Sequence, residues 1–280
     1  MRIFDCHIHI QPWEQLKPAA RFTMTSGHSD LARVERARRD PKELLSLMDD
    51  EGIERAALIN YVAPEVMGFT EETNDWVCAF VKGSEDRLIA VGSIHPRRTR
   101  DARSDVARLF ESGVRMLKIH PPHQVFAANA YRDGDEALGQ IYAAAQEHGR
   151  PVMIHTGTSI FPGARNRYAD PMAADDVAVD FPRLPLILAH AGRPLFMPTA
   201  VFLARRHKNV SLDLSGIPPK KLLEYLPRLE DLSEKCLWGT DWPSPGVTSM
   251  KKNVEEFLAL PLSDAAKERI LWSNAAALIT

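Results

Sequence analysis

Eight short apolar runs, rich in Val, Ile and Leu, alternate with longer stretches of helical period along the whole of this 280-residue chain. The runs are RIFDCHIH (2–9), RAALINYV (55–62), LIAVGSI (88–94), VRMLKIH (114–120), PVMIH (151–155), LPLILAH (184–190), NVSLDLS (209–215) and CLWGTD (236–241). A short, continuous apolar run reads as a strand buried on both faces. Helix candidates lie between them at 40–52, 71–83, 101–113, 135–149 and 171–181, several opening on Asp or Pro and closing on Gly, as helix ends do. Parallel strands need such crossovers. Eight alternations in this length, without a glycine-rich dinucleotide loop, favour a (β/α)8 TIM barrel of the α/β class over an open doubly wound sheet. Residues 1–280 read as a single domain. Residues 10–39 are the least regular part and are expected to form an insertion over the barrel mouth.

Composition narrows the partners. At 45% hydrophobic and 26% charged residues the chain can bury a large core, and a net charge of -2 provides no field for nucleic acid or an anionic membrane. The basic stretches at 33–42 and 95–103 also contain acids and read as solvated faces. Cys6, Cys78 and Cys236 are distant and odd in number, which argues for a reducing compartment. With no signal peptide ahead of the first strand and no run of 18 apolar residues, a cytoplasmic protein acting on a small molecule is expected.

In a barrel of this type, chemistry comes from the carboxyl ends of the strands. Alternation along DCHIHI puts Asp5, His7 and His9 on one face. Two buried imidazoles there need a partner, and a metal ion satisfies both at once. Lys118 and His120 end the fourth run, His155 the fifth, His190 the sixth and Asp241 the eighth. His7, His9, His155 and Asp241 form a set of three nitrogens and one oxygen that suits one Zn²⁺, with Mn²⁺, Fe²⁺ or Co²⁺ as alternatives. His190 is then free as general acid/base, and Asp241 can move a proton as well as touch the metal. Asp5, a layer deeper, is expected to orient a neighbour.

Other residues have weaker claims. Arg193, Arg165 and Arg167 are candidates to clamp a substrate carboxylate, against the plainer reading of loop ion pairs. His95 and His120 read as hydrogen-bonded structural groups near the pocket, His123 as a loop residue by the mouth, and His28, His148 and His207 as surface residues. Trp13 and Trp242 either wall the pocket or pack in the core.

The segments DCHIHI, GVRMLKIHP (113–121), PVMIHTG (151–157), DDVAVDFPRLPLILAHAGRP (175–194), LWGTDWP (237–243) and ILWSNAAAL (270–278) together resemble the amidohydrolase superfamily, in its amidohydrolase-related (amidohydrolase 2) branch. The resemblance implies a metal-dependent barrel enzyme in which His7, His9, His155 and Asp241 bind one ion and His190 assists the chemistry. It also implies a homodimer. Members of this branch are hydrolases or nonoxidative decarboxylases, so the expected activity is hydrolysis of a small anionic lactone, amide or ester by a metal-activated water. The alternative is decarboxylation of a small carboxylated ring or muconate-like acid. Lys118 adds a two-metal option, since a carbamate on it would bridge a second ion held by His155 and His190; one metal is favoured.

Overall fold

The computed structural model describes residues 1–26 and 30–279, so His28 lies outside the described residues. Eight parallel strands follow one another in sequence order: β1 (Phe4–Ile8), β2 (Arg55–Ile59), β3 (Leu88–Gly92), β4 (Met116–Ile119), β5 (Val152–His155), β6 (Leu186–Ala189), β7 (Val210–Asp213) and β8 (Cys236–Leu237). This is the expected TIM barrel. The seam between its last and first strands is closed by Cys6 N–H to Trp238 O at 2.9 Å, Asp241 N–H to His7 O at 2.8 Å and His9 N–H to Trp242 O at 2.7 Å. The backbones that carry the candidate ligands of β1 and of the β8 end are therefore bonded to each other.

Helices of eight or more residues among those described are α1 (Pro18–Thr25), α2 (Leu31–Arg39), α3 (Pro41–Glu51), α4 (Glu72–Val81), α5 (Ala102–Glu111), α6 (Glu136–Glu147), α7 (Ala173–Asp180), α8 (Met197–Arg206) and α9 (Met250–Leu258). Their ends follow from local chemistry. Asp40 caps α3 by accepting from Lys42 N–H and Asp101 caps α5 by accepting from Ser104 N–H, while α3 stops at Gly52, whose φ of 74° suits a residue without a Cβ. No helix is long and apolar enough to cross a membrane among the described residues.

Two expectations change. Residues 10–39, read as irregular, contain α1 and α2; the charge-rich LARVERARR buries only Val34, Ala37 and Arg38, too thin an apolar stripe to stand out as helical. Several strands are also shorter than their apolar runs. β8 keeps only Cys236 and Leu237 of the six residues read as strand; Trp238 to Asp241 are irregular backbone that still bonds to β1 through Trp238 O and Asp241 N–H. Trp13 and Trp242 are buried and do not line the cleft at the barrel mouth, so packing is their role.

Candidate active site

The cleft at the carboxyl ends of the strands has a volume of about 690 Å³, including its open mouth, and its floor contains His7, His9, Lys118, His155, His190 and Asp241. Seven of the strand-end groups noted in the sequence meet here, since His120 also lines it. His9 Nε2 donates to Asp241 Oδ1 at 3.0 Å, and His7 Nε2 lies 3.5 Å from the same oxygen. Ligand atoms of His7, His190 and Asp241 lie within 4.8 Å of one another. The His155 ring centroid is 4.8 Å from that of His190.

Burial sets the protonation states. It brings His7 down to about 4, with the Lys118 charge adding to the effect and Asp213 opposing it. His155 and His190 are pushed well below the usual imidazole range, again mainly by burial. Burial pushes the Asp241 carboxyl up, but the bond from His9 and the charges of His9, His7 and Arg193 outweigh it and hold the group at about 2. At neutral pH Asp241 is thus a carboxylate beside the neutral imidazoles of His7, His155 and His190, the donor types that divalent first-row metals take. His7 Nε2 and His155 Nε2 are buried with no hydrogen-bond partner. Buried polar atoms are rarely left so. A bound cation would satisfy them and displace the proton between His9 and Asp241, so the residues present fit a metal.

Tautomers follow from the neighbours. His7 Nδ1 is 2.6 Å from Asp213 Oδ2; a carboxylate only accepts, so Nδ1 carries the proton and Nε2 keeps its lone pair. His190 Nδ1 is 3.0 Å from the Ser215 carbonyl oxygen, with the same result. Asp5 behaves as expected: it accepts from His7 N–H at 3.1 Å, Thr240 N–H at 3.0 Å and the Thr240 hydroxyl at 2.6 Å, tying β1 to the turn after β8. Burial nevertheless raises its carboxyl to about 7.

Backbone shape helps to present the groups. His190 and Asp241 adopt φ of 63° and 70°, left-handed conformations that persist only where surroundings impose them. Gly239 is needed for closeness alone: a Cβ there would lie 2.7 Å from Asp213 Oδ1, 2.9 Å from His7 Cβ and 2.9 Å from Ser215 Cβ. Gly239→Ala is accordingly expected to cost roughly 1–3 kcal/mol, the usual range for overpacking. Thermal melting reads it, and an unchanged midpoint would show that the cluster can move apart freely.

The arginines divide. Arg193 lines the cleft, with Nη2 3.5 Å from Asp241 Oδ2 and a buried, unpartnered Nε. Gly216 makes room for it, because a Cβ there would sit 2.5–2.8 Å from the guanidinium. Arg165 is exposed and outside the cleft, its backbone N–H donating to Pro122 O at 2.9 Å. This removes it as a clamp: the loop after β5 turns that side chain to solvent. Arg167 also points elsewhere, to the Tyr168 hydroxyl at 2.7 Å.

Lys118 Nζ is buried without a partner, and burial brings the ammonium down to about 8. His120 stacks between His123 and His155, at centroid distances of 3.6 and 3.8 Å, and Tyr61 stacks on it at 4.8 Å. His123 is joined to the Tyr61 hydroxyl at 3.1 Å and to Ser159 Oγ at 2.7 Å. His95 lies outside the cleft lining, 3.6 Å from Glu65. His148 is exposed as expected, whereas His207 is partly buried against Asp175 at 2.6 Å.

Asp213, Ser215 and Tyr61 were not singled out in the sequence. A signal existed for the first two: they stand two residues apart at the end of an apolar strand, the same alternation that marked His7 and His9.

A family model described as Amidohydrolase matches residues 4–279. No curated protein matches the chain. Among solved structures, an uncharacterized TIM-barrel protein of Bordetella bronchiseptica superposes with a TM-score of 0.78 at 23% identity, covering 99% of this chain and 98% of that one. A probable 2-pyrone-4,6-dicarboxylic acid hydrolase of Acinetobacter baumannii, with citric acid bound, gives 0.70 at 14% identity, covering 100% and 99%. A 5-carboxyvanillate decarboxylase of Novosphingobium aromaticivorans, complexed with manganese and 4-hydroxy-3-methoxy-5-nitrobenzoic acid, gives 0.67 at 15% identity, covering 99% and 95%. At these identities the likeness is one of fold.

Proposed function

The chain belongs to the amidohydrolase family, and from that premise we propose that it is a metal-dependent hydrolase of a small anionic lactone, amide or ester. The observation that carries this reading is the buried donor set, with His7 Nε2 and His155 Nε2 unpartnered beside an ionised Asp241. His7, His9, His155 and Asp241 would hold one divalent ion, with zinc the first choice for these donors and manganese, present in the decarboxylase neighbour, the second. When bound, the ion supplies Lewis-acid polarisation of the substrate oxygen and a lowered pKa for water.

The chain's own groups do the rest. His190, neutral with its proton on Nδ1, accepts a proton at Nε2 from the water that attacks the carbonyl carbon, then returns it to the leaving group. Asp241 is a second carrier of that proton. Arg193 pairs with the anionic group of the substrate, and Tyr61 and Phe161 line the space for its body. Cytoplasmic placement rests on three unpaired cysteines.

One observation favours the decarboxylase alternative. The Tyr61, His120 and His155 rings form a stacked wall, which suits a planar carboxylated ring. In that reaction His190 would first take a proton from water at Nε2 and then deliver it to the carbon that loses CO₂.

The test begins with metal content per chain, on protein purified without chelator, and the intact mass for a carbamate on Lys118. Lactones and carboxylated aromatic acids are then screened with zinc and with manganese, following acid gain and CO₂ release. One metal, an unmodified lysine and acid gain without carbon loss support hydrolysis, whereas CO₂ release selects the alternative. Two metals with a carbamate would replace the one-metal site, and failure to bind any metal would sink both reactions.

A further inference from the structure

Strand β7 contributes nothing to the cleft lining at Asp213 or Ser215, yet both are completely buried directly behind the two imidazoles on which the proposed chemistry depends. Asp213 is fully engaged. Its Oδ2 accepts His7 Nδ1–H at 2.6 Å and the Ser215 hydroxyl at 2.7 Å, and its Oδ1 accepts the Ser215 N–H at 2.8 Å. Having given its only hydrogen to Asp213, the Ser215 hydroxyl can act towards a ring nitrogen only as an acceptor. Both Ser215 Oγ and the Ser215 carbonyl oxygen lie 3.0 Å from His190 Nδ1. Protons are therefore assigned without remainder: one on His7 Nδ1, one on His190 Nδ1, and a lone pair on each Nε2.

The geometry points to Asp213 as a positioning residue for both imidazoles, acting directly on His7 and through Ser215 on His190. It touches neither substrate nor metal. By holding the Ser215 backbone and hydroxyl it aims two acceptors at His190, and by binding His7 Nδ1 it excludes the tautomer whose Nε2 is protonated and cannot ligate. Gly239 allows the arrangement, since any Cβ there would enter the contact between Asp213, His7 and Ser215. Partners behind a ligating histidine fix its tautomer and orientation, and their removal typically weakens metal binding about 10–100-fold. The inference rests on the proposed role of His7 as a metal ligand. What it adds is that one carboxylate sets the ligand and the acid/base histidine together.

Two measurements test it. The ¹⁵N–¹H spectrum of the histidine rings in metal-free wild-type protein should place the proton of both His7 and His190 on Nδ1. Zinc affinity, read by competition with a chromophoric chelator, should fall about 10–100-fold in Asp213→Asn at unchanged secondary structure, with the His190 ring signals shifting as well. Ser215→Ala, which keeps the 2.6 Å Asp213–His7 contact but removes the Ser215 Oγ that lies 3.1 Å from His7 Nδ1, should lower zinc affinity less than Asp213→Asn does. An Nε2-protonated His7 or His190 in the wild-type spectrum overturns the proposal even if Asp213→Asn fails to fold, and so does wild-type zinc affinity in a folded Asp213→Asn. If wild-type protein itself binds no zinc or manganese, the metal reading is what fails, and the ring spectrum still judges the positioning of His190.

Discussion

Asp241→Ala is expected to leave a folded barrel that no longer retains metal. Asp241 is the one carboxylate among the proposed ligands, and burial makes its charge expensive unless cations or donors surround it. The structure supplies those partners in His9 Nε2 at 3.0 Å and Arg193 Nη2 at 3.5 Å. Without the carboxylate, three neutral imidazoles must hold a divalent ion with no charge compensation from the protein. Bound metal should drop well below one equivalent, and affinity and turnover should fall by more than the roughly 10–100-fold typical of losing a mere outer partner of a ligand. Asp241→Asn is the better-matched control, since Asn tolerates a φ of 70°. Metal analysis and circular dichroism of both variants decide it. Full metal retention by a folded Asp241→Ala would sink the four-ligand set.

His190→Ala should behave in the opposite way, keeping its metal and losing about 10²–10⁴-fold in kcat, the usual contribution of a positioned acid/base group. The structure makes this a demanding test. Among the described residues, His7, His190 and Asp241 are the three groups whose ligand atoms cluster within 4.8 Å, so a rival set with His190 as ligand in place of His155 is geometrically available. Loss of metal in His190→Ala, with retention in His155→Ala, would install that rival and leave the proton transfer to Asp241. The opposite pattern supports the assignment from strand position. Measuring kcat and metal content on the same preparations separates the two outcomes.

Most of the barrel was legible because strand and helix periods are local properties. All eight runs appear as strands in sequence order, and the five helix candidates appear as α3 to α7. Strand ends were also legible, and since a barrel sends all of them to one rim, His7, His9, Lys118, His155, His190 and Asp241 group from the sequence alone. Loop direction could not. Arg165 and Arg193 looked alike as candidate clamps, but one turns to solvent while the other enters the cleft past Gly216. The two helices inside 10–39 were missed because each buries so few residues, Ala20 and Met24 in α1 and Val34, Ala37 and Arg38 in the charge-rich α2.

The architecture and the set of ionisable groups on the rim both follow from periodicity and from the chemistry of residues at the ends of apolar runs. The protonation pattern of those groups depends instead on contacts between distant strands. The contact between His7 and Asp213 spans 206 positions of the chain, and that between Ser215 and His190 spans 25. A tautomer depends on which acceptor lies within about 3 Å of a ring nitrogen. That distance is set when β7 packs between β6 and β8, and no local pattern in the chain contains it.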